Sequence, residues 1–291
     1  MQRNVLDYPM HLNAPIDPRD RYPYGWRYVP ETLSDGSEHL VKSPLTLEDI
    51  LHPQEEDFRL HSHPHTQDVH YCSMVFESML NTDLGEHVLS DCRVAWDEAG
   101  KYAHGPDVAV IFNVKAYGRW STFNTIKEGT RPSLIVEVTS PTTRSTDLLN
   151  KVWEYAEQKI PRYVIADARE QPDSRRLRLI DYRLNEEGEY ETQPLGPNGR
   201  IWLEEVRLWL AAEEGWLVCY DAEGNRKENY TELDQALRSE KHARTELDQA
   251  LRSEKLARTE LDQDLRSERQ AREALEARLK ELEARLKAPN T

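Results

Sequence analysis

Apolar positions along the chain fall into three regimes. Residues 1–45 are rich in Pro and Tyr (APIDPRDRYPYGWRYVPET) and hold no sustained period, so they are expected as an extended arm that its aromatics could pack down. Thr46 then opens a short predicted helix, TLEDIL, with Thr as N-cap and Glu48 and Asp49 favourably placed in its first turn. Across 66–81 the spacing of Val69, Cys72, Val75, Phe76, Met79 and Leu80 is helical. Strand-like runs follow: His87–Trp96, Pro106–Val114, Ser133–Thr139 and Tyr163–Ala166. Short, β-branched apolar runs of this kind suit strands buried on both faces. Between the last two, Asp147–Lys159 carries a helical stripe of Leu148, Leu149, Val152 and Ala156, with Ser145 or Thr146 as candidate cap. Arg175–Leu184 and Tyr190–Leu195 read as a hairpin, and Ile201–Leu210 and Trp216–Tyr220 as closing strands. Helix, strands, helix and more strands define an α+β or mixed α/β sheet.

Near residue 226 the pattern changes. Beyond it there is no Gly, one Pro (Pro289) and one aromatic (Tyr230). Fourteen residues repeat from Thr231, Thr245 and Thr259, beginning TELDQALRSEKHAR, and EALEARLKELEARLK carries the pattern to Lys287. Fourteen is two heptads, so a coiled coil is predicted. Leu233, Leu247, Leu261 and Leu275 take d, and Leu237, Leu251, Leu265 and Leu279 the next a. Intervening layers hold Glu240/Arg244, Glu254/Arg258 and Glu268/Arg272, in the Glu-first i,i+4 order, and Leu282 and Leu286 close the seam. A continuous helix of this length spans about 85 Å. Self-association through residues 231–287 is the expected use; a solvated single helix held by ion pairs is the alternative. The predicted organisation is an arm at 1–45, a domain at 46–225 and a coiled-coil helix at 226–291.

Composition narrows the function. The 291 residues hold 38 Lys+Arg and 53 Asp+Glu, a net charge of −15. From Arg226 onward 15 basic residues balance 15 acidic ones, so the whole −15 falls on 1–225. A non-specific polyanion binder is disfavoured, because Lys and Arg supply phosphate affinity. No apolar run reaches the ~20 residues of a membrane helix, and MQRNVLDYPMHLNAPIDPRD holds no apolar h-region, so a secretory signal is not expected. Cys72, Cys92 and Cys219 are too widely spaced for a disulfide framework or a Cys-rich zinc site. A soluble protein of a reducing, cytoplasmic compartment is expected.

Three carboxylates stand among apolar strand residues: Asp91, Asp107 and, most conspicuously, Glu137 in LIVEVT. A carboxylate in a buried strand is costly unless paired, hydrogen-bonded or bound to a cation. Period-two alternation puts Glu137 with Ile135 and Thr139, opposite Leu134, Val136 and Val138. The bland alternative is a strand-end Glu facing solvent, or one paired with Arg131 or Arg144. Downstream, Asp147, Lys151 and Tyr155 are spaced i, i+4, i+8 on one helix face. The hydroxyl-rich turn Ser140–Thr146 sets a helix N-terminus beside the end of the strand, where an anion is favoured. Two carboxylates for a divalent ion and one ammonium for a phosphate or attacking water could converge here.

The ordered set Pro106-Asp107, Glu137-Val138-Thr139-Ser140-Pro141-Thr142-Thr143-Arg144, Asp147, Lys151, Tyr155-Ala156 and Tyr163-Val164-Ile165-Ala166-Asp167 resembles the Uma family of restriction-endonuclease-type proteins, itself similar to the PD-(D/E)XK nuclease superfamily. The resemblance covers roughly residues 50–210. It implies a restriction-endonuclease-like core, a central mixed sheet flanked by helices. It implies Asp107 and Glu137 as ligands of Mg²⁺ or Mn²⁺, and metal-dependent hydrolysis of nucleic-acid phosphodiester bonds, with DNA as the expected partner. The lysine expected two residues after the Glu is Thr139; Lys151, on the following helix, is the replacement. Ser140 and Thr142 are candidate phosphate or supporting groups, and Asp147 a partner of Lys151. Tyr155 is expected to serve packing. The rival reading is a catalytically inactive nuclease fold used as a binding or assembly module, working through its coiled coil.

Other signals read blandly. His61, His63 and His65 form an H-x-H-x-H string that Pro64 interrupts, so a solvated loop entering the helix is expected rather than zinc. His70 and Glu77 are candidates to face the cleft from that helix. Arg162, Arg175, Arg176 and Arg178 could touch a nucleic-acid backbone, but a few arginines on an acidic domain read as a solvated strand face. Trp202, Trp209, Trp216 and Tyr220 are expected to pack a flank.

Overall fold

A computed structural model describes residues 13–287 apart from 60, 117, 172 and 173. Residues 1–12 of the expected arm and 288–291 of the tail lie outside the described residues. The chain divides into two units, Met1–Lys227 and Glu228–Thr291.

The first unit opens on a hairpin, β1 (Trp26–Thr32) and β2 (Glu38–Pro44), paired antiparallel with Trp26 opposite Pro44. Over 26–44 a paired hairpin replaces the expected irregular arm, and an aromatic packs it down. The hairpin ends are tied down: Trp26 and Phe58 exchange backbone hydrogen bonds at 2.9 and 2.8 Å, and their rings stack. Gly25 is required there, because its φ is +102° and a Cβ would sit 1.9 Å from the Phe58 carbonyl oxygen.

Helix α1 (Leu47–Leu51) starts with a full capping box between Thr46 and Asp49. Helix α2 (His63–Glu77) begins three residues earlier than its apolar spacing indicates. Ser62 caps it and Pro64 occupies the first turn, where a missing N–H costs nothing.

A six-stranded sheet follows, in the order β11-β10-β9-β8-β6-β3. Its members are β3 (His87–Ser90), β6 (Val108–Ile111), β8 (Pro132–Val138), β9 (Arg162–Gln171), β10 (Ser174–Leu184) and β11 (Tyr190–Gln193). β8 and β9 are parallel and every other pair is antiparallel, so the sheet is mixed. Two three-stranded sheets accompany it. One is β12 (Ile201–Leu203), β13 (Leu208–Glu213) and β14 (Trp216–Tyr220); the other joins β4 (Arg93–Ala95), β5 (Ala103–His104) and β7 (Thr122–Asn124). The expected strand 87–96 is thus broken in two at Asp91, which is exposed in the turn with φ +51°.

The alternation of β8 separates two cores. Leu134, Val136 and Val138 pack with Val69, Cys72 and Phe76 of α2 and with Leu208 and Leu210. Ile135 packs on the other side with Phe123, Leu148, Tyr155 and Tyr163. Glu137 shares the Ile135 face, as period two requires. A parallel β8–β9 pair needs a crossover. Here it is a turn of π-helix, Thr146–Asn150, running into α4 (Lys151–Glu157); a further short helix, α3, spans Thr125–Glu128. The expected caps do not form: Ser145 is helical, makes no cap bond, and instead exchanges hydrogen bonds with the Asn13 side chain.

Arg162 is not a surface arginine. It is 2% exposed and gathers Asp181, Glu204, Glu205 and the Trp202 carbonyl. Arg175 bonds Asp68 at 2.6 Å. Trp202 and Trp209 do pack together, with ring centres 5.2 Å apart. The three cysteines are buried and free.

The second unit is one helix, α5 (Tyr230–Lys287), of 58 residues. Asn229 and Glu232 cap it reciprocally, side chain to backbone, at 3.0 and 2.9 Å. Its seam leucines are exposed, Leu233 to 51%, Leu247 to 70% and Leu275 to 66%. Ion pairs run from Arg238 to Asp234 and from Arg272 to Glu276; the anticipated Glu240/Arg244 and Glu254/Arg258 pairs do not form among the described residues. The Leu286 side chain lies outside the described residues. No helix among the described residues is long and apolar enough to cross a membrane.

Candidate active site

Antiparallel pairing of β6 with β8 sets Val108 opposite Val136, so Asp107, just before β6, meets Glu137. The Asp107 backbone N–H points at Glu137 Oε2 at 3.3 Å, and the Val138 N–H donates to Asp107 Oδ2 at 2.8 Å. The crossover then returns over β8. Its π turn closes with the Lys151 N–H on the Thr146 carbonyl, an i→i+5 bond of a kind that recurs at functional sites. Lys151 Nζ lies 2.8 Å from Glu137 Oε1 and 2.8 Å from Asp147 Oδ1. One turn on, the Tyr155 hydroxyl donates to the same Glu137 Oε1 at 2.8 Å. All five side chains are buried, Glu137 to 1% exposure.

A sixth group completes the cluster. His65, from the first turn of α2, places Nε2 3.1 Å from Asp107 Oδ2. The string expected as a solvated loop therefore supplies a buried partner to a site carboxylate, while His70 and Glu77 are exposed. Ser62 three residues before, with Pro64 at the helix start, was the local signal for a helix beginning here.

The electrostatics follow from burial and proximity. Burial opposes the Lys151 ammonium, but Asp147, Glu137 and Asp107 outweigh it and raise its pKa. Burial likewise opposes the His65 imidazolium; Asp107 outweighs it, with Asp147 and Glu137 adding, and the pKa rises to about 9. Burial works against the Asp107 carboxylate too, yet His65, Lys151 and the Val138 N–H hold it well below the ordinary range. Glu137 is the strained member: burial pushes it up to about 8, with Lys151 opposing and Asp107 and Asp147 adding repulsion. Burial and Glu137 keep the Tyr155 hydroxyl protonated, so it can only donate to that carboxylate. Three carboxyl groups face one ammonium and one imidazolium; with Glu137 raised to about 8 the charges balance near neutral pH, and an excess of one negative charge develops as Glu137 ionises.

That donor set fits a hard divalent cation. Asp107 Oδ2 takes both of its side-chain hydrogen bonds, and Oδ1 has none among the described residues. Glu137 Oε2 receives only the long contact from Asp107 N–H. Two under-used carboxyl oxygens, with Glu137 free to ionise against an added positive charge, suit such a cation.

The remaining expected residues divide. Thr139, where a lysine was expected, bonds the Ala168 backbone through its hydroxyl at 2.8 Å and is structural. Ser140 bonds Thr143 at 2.6 Å, and neither Ser140 nor Thr142 bonds the carboxylate–lysine cluster. Arg144 pairs with Asp167 and Arg131 bonds the Gln158 carbonyl, so neither pairs with Glu137.

A second cluster, His52, His104 and Glu154, also brings possible metal-ligand atoms within 4.8 Å of one another. Its hydrogen bonds argue against a metal. Trp96 Nε1 can only donate, and it lies 2.6 Å from His104 Nδ1. The His104 proton is therefore on Nε2, donated to Glu154 Oε2 at 2.6 Å, and no lone pair is left there for an ion. Tyr102 donates to the same oxygen at 3.2 Å. The His104 ring packs on Tyr155, 4.9 Å between centres, so this network braces the helix that carries Lys151 and Tyr155.

Fold and site together define an α+β domain whose mixed sheet holds a buried carboxylate–lysine centre, in the manner expected of a nuclease-like core. The chain matches the model of the family Uma2, described as "Putative restriction endonuclease", over residues 60–213, more than half its length, and it belongs to that family. Among solved structures it is similar to a nuclease of DUF820 from Anabaena variabilis, described as putative, at 14% identity and a TM-score of 0.38, covering 56% of this chain and 91% of that one. No curated protein matches the chain.

Proposed function

We propose that the 46–225 domain is a metal-dependent endonuclease that hydrolyses phosphodiester bonds, with DNA as substrate. The observation that carries this reading is the convergence of Asp107, Glu137 and Lys151 from three separate elements into one buried cluster. Asp107 and Glu137 would hold Mg²⁺ or Mn²⁺, which would supply Lewis-acid polarisation of the scissile phosphate and a more acidic water. Lys151 stays cationic and lends its ammonium to charge on the phosphoryl oxygens. Asp147 aims Lys151, His65 aims Asp107, and Tyr155 fixes the rotamer of Glu137. Three buried free thiols suit the cytoplasm as its location.

The test is cleavage of plasmid and single-stranded DNA with Mg²⁺ or Mn²⁺, with Glu137→Ala and Lys151→Ala alongside. Cleavage unchanged in both variants removes these residues from the chemistry. Tyr155→Phe deletes the O–H that holds Glu137 Oε1. Partners of this kind are typically worth 10–100-fold, and a drop of about tenfold in both cleavage rate and Mn²⁺ affinity is expected. Calorimetric titration checks the second number.

The inactive-module reading is favoured by one observation, the structural engagement of Thr139. It replaces the first if calorimetry finds no divalent-ion binding while deletion of 231–291 abolishes a partner interaction. In either case we propose that α5 pairs with a second copy of itself, since leucines recur along one seam of a helix that leaves them exposed. Light scattering of the full chain against residues 1–227 should show the shorter form at monomer mass and the longer at a multiple. Equal monomer masses reject the coiled coil.

A further inference from the structure

Beside the carboxylate–lysine cluster lies a cavity of about 340 Å³ lined by Glu55, Asp57, Arg59, His61, Asp91 and Arg93, among others. The His61 ring stacks on His65 at 4.6 Å, and His65 bonds Asp107, so one residue of the cavity lining touches the group that holds Asp107. Arg59 stands out within it. A Cβ on Gly105 would lie 2.1 Å from Arg59 Nη2 and 3.2 Å from Nη1, so the guanidinium rests on the backbone two residues before Asp107. A larger side chain at 105 would displace the guanidinium from that position.

The arginines around it are occupied. Arg93 donates to the Pro53 carbonyl at 2.6 Å, and Arg27 pairs with Asp49 and Asp57. Arg59, half-buried in a domain that carries the whole net charge of −15, makes no side-chain hydrogen bond or ion pair among the described residues. Asp91 and Asp57 line the same cavity and do not pair with it. A guanidinium offers five donors in a planar fork suited to phosphate.

We propose that Arg59, seated on Gly105, binds a backbone phosphate of the nucleic-acid strand next to the scissile one and so sets the strand over Asp107. This rests on the nuclease reading for the identity of the ligand. It answers the acidity of the domain: affinity comes from one pre-placed fork beside the divalent ion, not from a basic surface.

The test is fluorescence anisotropy of a labelled oligonucleotide with the full chain in Mn²⁺, over roughly 50 to 200 mM KCl. Arg59→Ala should weaken binding about tenfold at the low end and flatten the log–log salt slope by about one phosphate contact. Arg59→Lys should keep the slope and lose part of the affinity, because the charge survives without the fork. Gly105→Ala should reproduce much of the loss by unseating the guanidinium. Equal affinity and slope in wild type and Arg59→Ala overturn the proposal, as does a wild type that binds no oligonucleotide. Arg59-dependent binding without cleavage sinks the hydrolytic reading and leaves this one standing; cleavage with an unchanged KM in Arg59→Ala does the reverse.

Discussion

Lys151→Ala is expected to abolish cleavage to within about a thousandth of wild type and to destabilise the domain by about 3–5 kcal/mol. The first figure is what loss of a buried group acting on transition-state charge costs. The second follows from Lys151 being 4% exposed and touching both Glu137 and Asp147 at 2.8 Å. Removing one partner of a buried pair strands the other, and here it strands two. The two effects are separable through the metal. Without the ammonium, His65 still faces Asp107 and Glu137 can hold a proton, and a divalent ion is the added cation that favours the ionised form of Glu137 and Asp147. Mn²⁺ should therefore raise the thermal midpoint of Lys151→Ala more than that of wild type, while cleavage stays absent. Thermal denaturation with and without Mn²⁺ checks this. A variant as stable as wild type without metal would show that the cluster does not need Lys151 for its charge balance.

The parts of this site legible in the sequence are those fixed by short-range period. Glu137 is conspicuous because strands alternate, and a carboxylate beside Val136 and Val138 has only one face to occupy. Asp147, Lys151 and Tyr155 are legible because four-residue spacing keeps them together, and the π turn shifts the helix without separating them. Long-range partners were not legible. His65 reaches Asp107 across 42 positions, and Pro64, read as an interruption, is a residue suited to a helix start. Tyr155 looked like packing, because nothing local says its hydroxyl meets a strand 18 residues back. Arg162 looked like surface because its acidic partners lie on β10 and in the turn after β12. The β1–β2 hairpin was hidden among prolines and tyrosines, although Asp35-Gly36, with Gly36 at φ +83°, is a hairpin-turn signal. For His65, Tyr155 and Arg162 the missing information is which distant group meets a polar side chain, and only the tertiary packing supplies it.

The bracing network behind the site carries a pH signature. Burial pushes the His104 pKa down to about 4, against the pull of Glu154. The geometry gives the same direction, since Trp96 N–H already points at the nitrogen a second proton would need. Unfolded, the imidazole titrates near 6.5. Between those values the unfolded chain binds the proton and the folded one does not, so the contribution to stability is full above pH 6.5 and is lost as pH falls toward 4. Between pH 7 and pH 5 the loss is about 2 kcal/mol. Other buried groups titrate in the opposite sense: His65, raised to about 9, and Glu137, raised to about 8, both favour the folded state as pH falls. The His104 share must be read by difference. His104→Gln keeps an acceptor for Trp96 and a donor for Glu154 but does not titrate. Urea unfolding at the two pH values should show wild type losing about 2 kcal/mol relative to that variant. Parallel losses in the two proteins would mean that His104 is free to take its second proton in the fold, and that Trp96 does not fix its tautomer.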